Sequence, residues 1–211
     1  MSQKITWKDK LDFILFGWII NWAFPQYYRP KYHYTRYRKM LLINVIPQKI
    51  LGINRFVKWP VHFTSVIHSP EKITKGILCD PGDNPGIYIQ ANNGIIFGNN
   101  VGIGTGTKII SANHNKEEHS KHDTTSPIII GNDVFIYANS VVLPGVKIGD
   151  NVVIGAGSIV TKDIPANSVA VGNPCKVIKH NPPHREKFTR EEFNKNIPKQ
   201  YHHYFDISSH E

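Results

Sequence analysis

Between Ile130 and Pro165 the chain divides into six consecutive units of six residues: IGNDVF, IYANSV, VLPGVK, IGDNVV, IGAGSI and VTKDIP. The units open on Ile130, Ile136, Val142, Ile148, Ile154 and Val160, all branched aliphatics. Their fifth positions hold Val134, Ser140, Val146, Val152, Ser158 and Ile164, all β-branched or small. A period of six fits no helix, because it walks around a 3.6-residue turn. It fits a short strand plus a bend, with the first residue facing inward and Gly or Asn supplying positive φ. Three such units close a triangular coil. Ile130 then stacks on Ile148, Ile136 on Ile154 and Val142 on Val160, and successive coils pair as parallel strands about 4.8 Å apart. One coil cannot bury its own interior, so stability comes from stacking its neighbours.

The same phase runs upstream through Phe97, Ile103 and Ile109. The next unit would open at Asn115, but the phase resumes at Ile130, and the stretch between is polar and charged. Residues 115–126 therefore read as a loop thrown out from one corner of the stack. From residue 57 to 96 short apolar runs are broken by Pro70, Pro81, Gly82 and Pro85, which predicts irregular first coils. The organisation that follows is an aromatic-rich, partly helical segment at 1–55, a coiled β domain at 56–179 and a tail at 180–211. In the tail Thr189 is placed to cap a short helix.

The segment LDFILFGWIINWAF, Leu11 to Phe24, is strongly apolar and follows Lys4, Lys8 and Lys10. Asp12 and Asn21 interrupt it, and no small-residue cleavage site follows, so it does not read as a secretion signal. It is also short of the roughly 20 residues that span a bilayer. It reads as a helix burying one face. The competing reading is an interfacial membrane helix, with Trp18 and Trp22 at the surface and the aromatic run Tyr27 to Tyr37 beside it. The formal net charge is +9, which favours an anionic partner. The basic residues are scattered and no nucleic-acid reading motif is present, so nucleic acid is not that partner. Two cysteines, Cys79 and Cys175, make neither a disulfide framework nor a metal spacing, and a reducing, cytoplasmic setting follows.

The repeat resembles the hexapeptide signature of the acyltransferases built on a left-handed parallel β-helix. The segments ISANH, PIIIGNDVFIYANSVVLPGVKIGDNVVIGAGSIVTKDIP and AVGNPCKVIK resemble more specifically the galactoside and maltose O-acetyltransferases and the capsule or lipopolysaccharide O-acetyltransferases. The resemblance is strong from Phe97 to Lys179 and weak over the first 90 residues. It implies a mainly β fold, a left-handed coil, acetyl-coenzyme A as acyl donor, a sugar or polysaccharide precursor as acceptor, and a homotrimer with active sites between subunits. It also implies His114 as general base. Ala138, Ala156, Thr161, Lys162, Lys176 and Lys179 fall on positions that contact the coenzyme, with lysine at 176 and 179 where arginine is common. Asn92 and Asn113 fall on the acceptor side, Asn93 beside them. Phe135 stands where the family often has tryptophan.

Acyl transfer from a thioester needs a base for the acceptor proton and a donor for the carbonyl oxygen, and no covalent intermediate. Ser158 faces inward in the repeat and Cys175 has no paired histidine, so neither reads as a nucleophile. Gly102, Gly104 and Gly106 read as repeat turns, since no helix follows them as a phosphate loop requires. His119 and His122 read as exposed loop residues. The His114–His119 spacing also resembles that of zinc-binding carbonic anhydrases on the same coil. A third ligand is not evident, and no metal is expected. The rival functions are the same chemistry docked on a membrane face, a zinc-dependent hydratase of the carbonic anhydrase kind, and a non-catalytic scaffold that uses the coil only for assembly.

Overall fold

A computed structural model describes residues 6–24 and 37–183. Most of the aromatic run from Tyr27 and the Thr189 helix lie outside the described residues. From residue 66 onward the chain winds as a triangular coil of short strands, whose bounds follow from the repeat. The strands are β1 (Val66–His68), β2 (Ile73–Lys75), β3 (Tyr88–Gln90), β4 (Ile95–Phe97), β5 (Gly102–Ile103), β6 (Lys108–Ile110), β7 (Ile128–Ile130), β8 (Phe135–Ile136), β9 (Val141–Val142), β10 (Lys147–Ile148), β11 (Val153–Ile154), β12 (Ile159–Val160), β13 (Ser168–Val171) and β14 (Lys176–His180). They form three sheets. The first face orders β1-β3-β6-β9-β12, the second β2-β4-β7-β10 and the third β5-β8-β11-β13-β14.

The pairing is the one the six-residue phase predicts. Ile148 lies on Ile130, Ile154 on Ile136 and Val160 on Val142, all in parallel. Across the interruption, Phe97 lies on Ile130, Ile103 on Ile136 and Ile109 on Val142. The inserted residues are therefore excluded without shifting the register. All six unit-opening residues are at most 1% exposed, and the serines at fifth positions, Ser140 and Ser158, are fully buried. A hydroxyl in an apolar interior needs a partner. Ser140 Oγ donates to the carbonyls of Tyr137 (2.8 Å) and Gly155 (3.0 Å), and Ser158 Oγ to that of Gly155 (2.6 Å). Both serines close bends from inside, which agrees with a structural reading.

The coil stops by reversing. β14 runs antiparallel to β13, pairing Val171 with Lys176 and Val169 with Lys179. At the other end a helical cap closes the prism. Helix α1 (Trp7–Ala23) starts four residues before the apolar run. Thr6 and Asp9 form a reciprocal capping box there and satisfy the first orphan N–H groups. Helix α2 (Tyr37–Met40) continues as a wider π-type helix over Leu41–Ile50. Buried Asp12 of α1 accepts the Arg38 N–H (3.3 Å), which ties the two together. Buried Gln48 bonds the carbonyls of Val57 and Trp59 and the N–H of Val61. The apolar core is continuous from Ile20 and Phe24 through Trp59 and Val61 into the coil.

Candidate active site

Each corner of the prism has its own chemistry. Between the third and first faces, Gly104, Ala138 and Ala156 stand in register. The Gly157 N–H donates to the Ala138 carbonyl (2.9 Å), and a Cβ on Gly104 would collide with the Ala138 backbone nitrogen. Gly102 is small for a similar reason, since a Cβ there would lie 2.7 Å from the Phe135 ring. Phe135 is outward and 48% exposed, with Tyr137 beside it at 6.0 Å between ring centroids. This corner is a column of small residues that a ligand can approach closely.

Between the first and second faces lies the inserted loop. It is a small hairpin. The Asn113 carbonyl accepts the Asp123 N–H (2.9 Å) and the Asn115 N–H donates to the Lys121 carbonyl (2.9 Å), which pairs His114 with His122 in antiparallel fashion. The Asn115 carboxamide oxygen accepts the N–H groups of Glu117 and Glu118 (2.9 Å each) and makes the tip turn. Its amide donates to Asp123 Oδ1 (3.0 Å).

Two residues of the preceding coil hold the hairpin in place. Buried Gln90 accepts the Ala112 N–H (3.0 Å) and donates to the Ala112 carbonyl (3.3 Å). The Asn93 amide donates to the carbonyls of Ser111 and Asp123 (2.9 Å each) and reaches Thr125 Oγ1 (3.0 Å). Asn93 thus staples both strands of the hairpin at its root.

The hairpin carries His114 exposed. His114 Nδ1 lies 2.7 Å from the His119 carbonyl oxygen. A carbonyl only accepts, so Nδ1 carries the proton, and in the neutral imidazole Nε2 keeps its lone pair. The His122 ring packs against His114 at 4.5 Å between centroids. His119 and His122 are exposed, as their sequence context predicts. They nonetheless set the orientation of His114, one through its main chain and the other through its ring. The His114–His119 spacing joins a ring nitrogen to a carbonyl oxygen. Among the described residues no group of three or more His, Cys, Asp or Glu is arranged to hold a metal ion.

The other candidate residues fall on the same two corners and on the coil end. Thr161 and Lys162 are exposed at the hairpin corner, further along the coil stack. A shallow groove of about 590 Å³ over the second face is bordered by Ile129, Lys147, Asp150, Asp163 and Ala166, and Thr161 and Lys162 are not part of its lining. Lys176 and Lys179 are exposed on β14. Asn92 accepts the Ser69 hydroxyl (3.0 Å) on its side chain and Lys72 Nζ (2.8 Å) on its carbonyl. Asn113 is exposed next to His114. Burial raises the thiol pKa of both Cys79 and Cys175, which keeps them as unreactive small hydrophobes.

The small-residue column and the hairpin flank the first face, whose outward column runs Tyr88, Lys108, Val141 and Ile159. One chain therefore sets Ala138 and Ala156 on one edge of that face and His114 on the other.

Residues 127–162 match the family model described as bacterial transferase hexapeptide (six repeats). The chain is 40% identical over 132 residues to the galactoside O-acetyltransferase of Escherichia coli strain K12, covering 61% of this chain and 62% of that one. It is 39% identical over 138 residues to the galactoside O-acetyltransferase of Lactococcus lactis, covering 60% of each. The match thus spans about three-fifths of these relatives' length. Among solved structures, the chain resembles a hexapeptide-repeat-containing acetyltransferase from Vibrio cholerae, complexed with acetyl-coenzyme A, at 21% identity and a TM-score of 0.49, covering 68% of this chain and 85% of that one. The matched hexapeptide repeat is thus the parallel three-sheet coil of the structure, and over about three-fifths of its length the chain is similar to galactoside O-acetyltransferases.

Proposed function

We propose that the protein transfers an acetyl group from acetyl-coenzyme A to a hydroxyl of a saccharide acceptor, with His114 as general base. The observation that carries this reading is the 2.7 Å contact from His114 Nδ1 to the His119 carbonyl. It holds the tautomer in which Nε2 is the free base. Nε2 takes the acceptor proton as the acceptor oxygen attacks the thioester carbonyl, and the thiolate then leaves. The His119 carbonyl stabilises the imidazolium that forms, because the donor at Nδ1 gains charge in that step. A base positioned in this way contributes on the order of 10² to 10⁴ in rate.

Ala138 and Ala156 fit the pantetheine arm, because their column is low enough for close approach. Thr161, Lys162, Lys176 and Lys179 supply exposed hydroxyl and ammonium groups for its phosphates. Asn92 and Asn113 border the hairpin on the acceptor side. The separation of hairpin and small-residue column on opposite edges of one face favours a site completed by a neighbouring copy, in a homotrimer. The names of the relatives, galactoside O-acetyltransferases, favour a sugar hydroxyl over an amine.

The test is to incubate the purified protein with acetyl-coenzyme A and a panel of galactosides, maltose and amino sugars. Thiol release and product mass are then followed. Acetyl esters on sugar hydroxyls support the reading. Acetylation of amines alone, or failure to bind acetyl-coenzyme A by calorimetry, overturns it.

A further inference from the structure

Helix α1 is apolar on two opposite sides. One side is covered by the protein through Gly17, Ile20 and Ala23. The other carries Trp7, Leu11, Ile14, Leu15, Trp18 and Trp22, which are 47% to 73% exposed. Apart from the adjacent pair Ile14 and Leu15, their spacing is three to four residues, so they form one continuous stripe along the helix. The fold covers the first of these sides and leaves the second exposed. Exposed Leu42, Ile50, Leu51 and Phe56 extend the apolar surface onto the rest of the cap. No described helix is long and apolar enough to cross a membrane.

We infer that this stripe docks the protein on the surface of an anionic lipid bilayer, with α1 lying in the plane of the interface. Three of the four tryptophans of the chain stand on the stripe, and tryptophan favours the boundary between headgroups and acyl chains. Cations sit beside the exposed rings. Lys8 Nζ lies 5.7 Å from the Trp7 ring, and the Arg55 guanidinium lies 4.6 Å from that of Phe56. Lys10, Lys49 and Lys58 are exposed on the same cap. Both acidic residues of α1 are engaged, Asp9 in the capping box and Asp12 buried against the Arg38 N–H. The stripe is thus cationic and aromatic, which complements acidic headgroups. The same charge opposes self-pairing of this face in a symmetric interface. This inference does not depend on the acyl-transfer reading.

Flotation of the full chain with vesicles tests it, comparing phosphatidylcholine alone with phosphatidylcholine containing phosphatidylglycerol. The protein should co-float with the anionic vesicles, bind weakly to the neutral ones, and release as salt screens the charges. Lys8→Gln and Lys10→Gln should each weaken partitioning roughly fivefold, and Trp18→Ser and Trp22→Ser each roughly tenfold. In the unmodified protein, tryptophan emission should shift to the blue and be quenched by brominated acyl chains. This readout needs no variant to fold. A full chain that stays at the bottom of the gradient with anionic vesicles would overturn the inference, as would tryptophan variants that float as well as the parent. An oligomer that dissociates on Trp18→Ser and Trp22→Ser, with no vesicle binding by the parent, would also overturn it and assign the stripe to contacts between copies.

Discussion

At the corner between the second and third faces, Asn100, Asp133, Asn151 and Asn167 all turn with φ between 54° and 56°. They bond one another along the stack, Asn100 to Asp133 at 2.6 Å and Asn151 to Asn167 at 2.8 Å. At the corner after β6, the equivalent turn is replaced by the hairpin that presents His114. The register resumes on Ile130 as though nothing intervened. The same coil therefore has one corner whose polar side chains are used up in holding neighbouring turns together, and another whose turn is replaced by a hairpin carrying the exposed His114 imidazole. Residues with φ > 0 are costly unless they are Gly, Asn or Asp. The ladder corner meets that cost with side chains that also bond. The hairpin corner meets the demand for order from outside, through Gln90 and Asn93 of the coil before it.

Removing the shared interior affects both corners and gives the largest change in stability. Ile136 is fully buried in the stack, so Ile136→Ala should destabilise the protein by about 2–5 kcal/mol in urea unfolding. Asn93→Ala strips the hairpin root of a donor shared by Ser111, Asp123 and Thr125. It should cost about 1–3 kcal/mol, and acetyl transfer should fall roughly tenfold as the base is misplaced. Asn151→Ala at the ladder corner should cost about 1 kcal/mol and leave the rate of acetyl transfer unchanged. Loss of activity in Asn151→Ala with full activity in Asn93→Ala would reverse the division between the two corners.

The fold was legible where each residue had one repeated task. From Ile130 to Pro165 the in-or-out choice recurs every six residues, so the coil, its stacking pairs and the inward serines follow from the pattern. Local signals also set α1, although Thr6 and Asp9 start it at Trp7 rather than at the first residue of the apolar run. The antiparallel return of β14 follows the last repeat and has no period to announce it. The position of His114 was legible as the point where the repeat breaks. Its environment was not, because a main-chain oxygen of His119 has no side-chain signature, and Gln90 and Asn93 act from another coil. The spacing of His114 and His119 is real, but it serves a hydrogen bond between a ring nitrogen and a carbonyl.

The central claim is that the His114 imidazole moves the acceptor proton. The direct measurement is the turnover of His114→Ala at saturating acetyl-coenzyme A and acceptor, with coenzyme affinity followed in parallel by calorimetry. Turnover should fall on the order of 10² to 10⁴ with coenzyme affinity unchanged. Turnover equal to that of the unmodified protein would contradict the account.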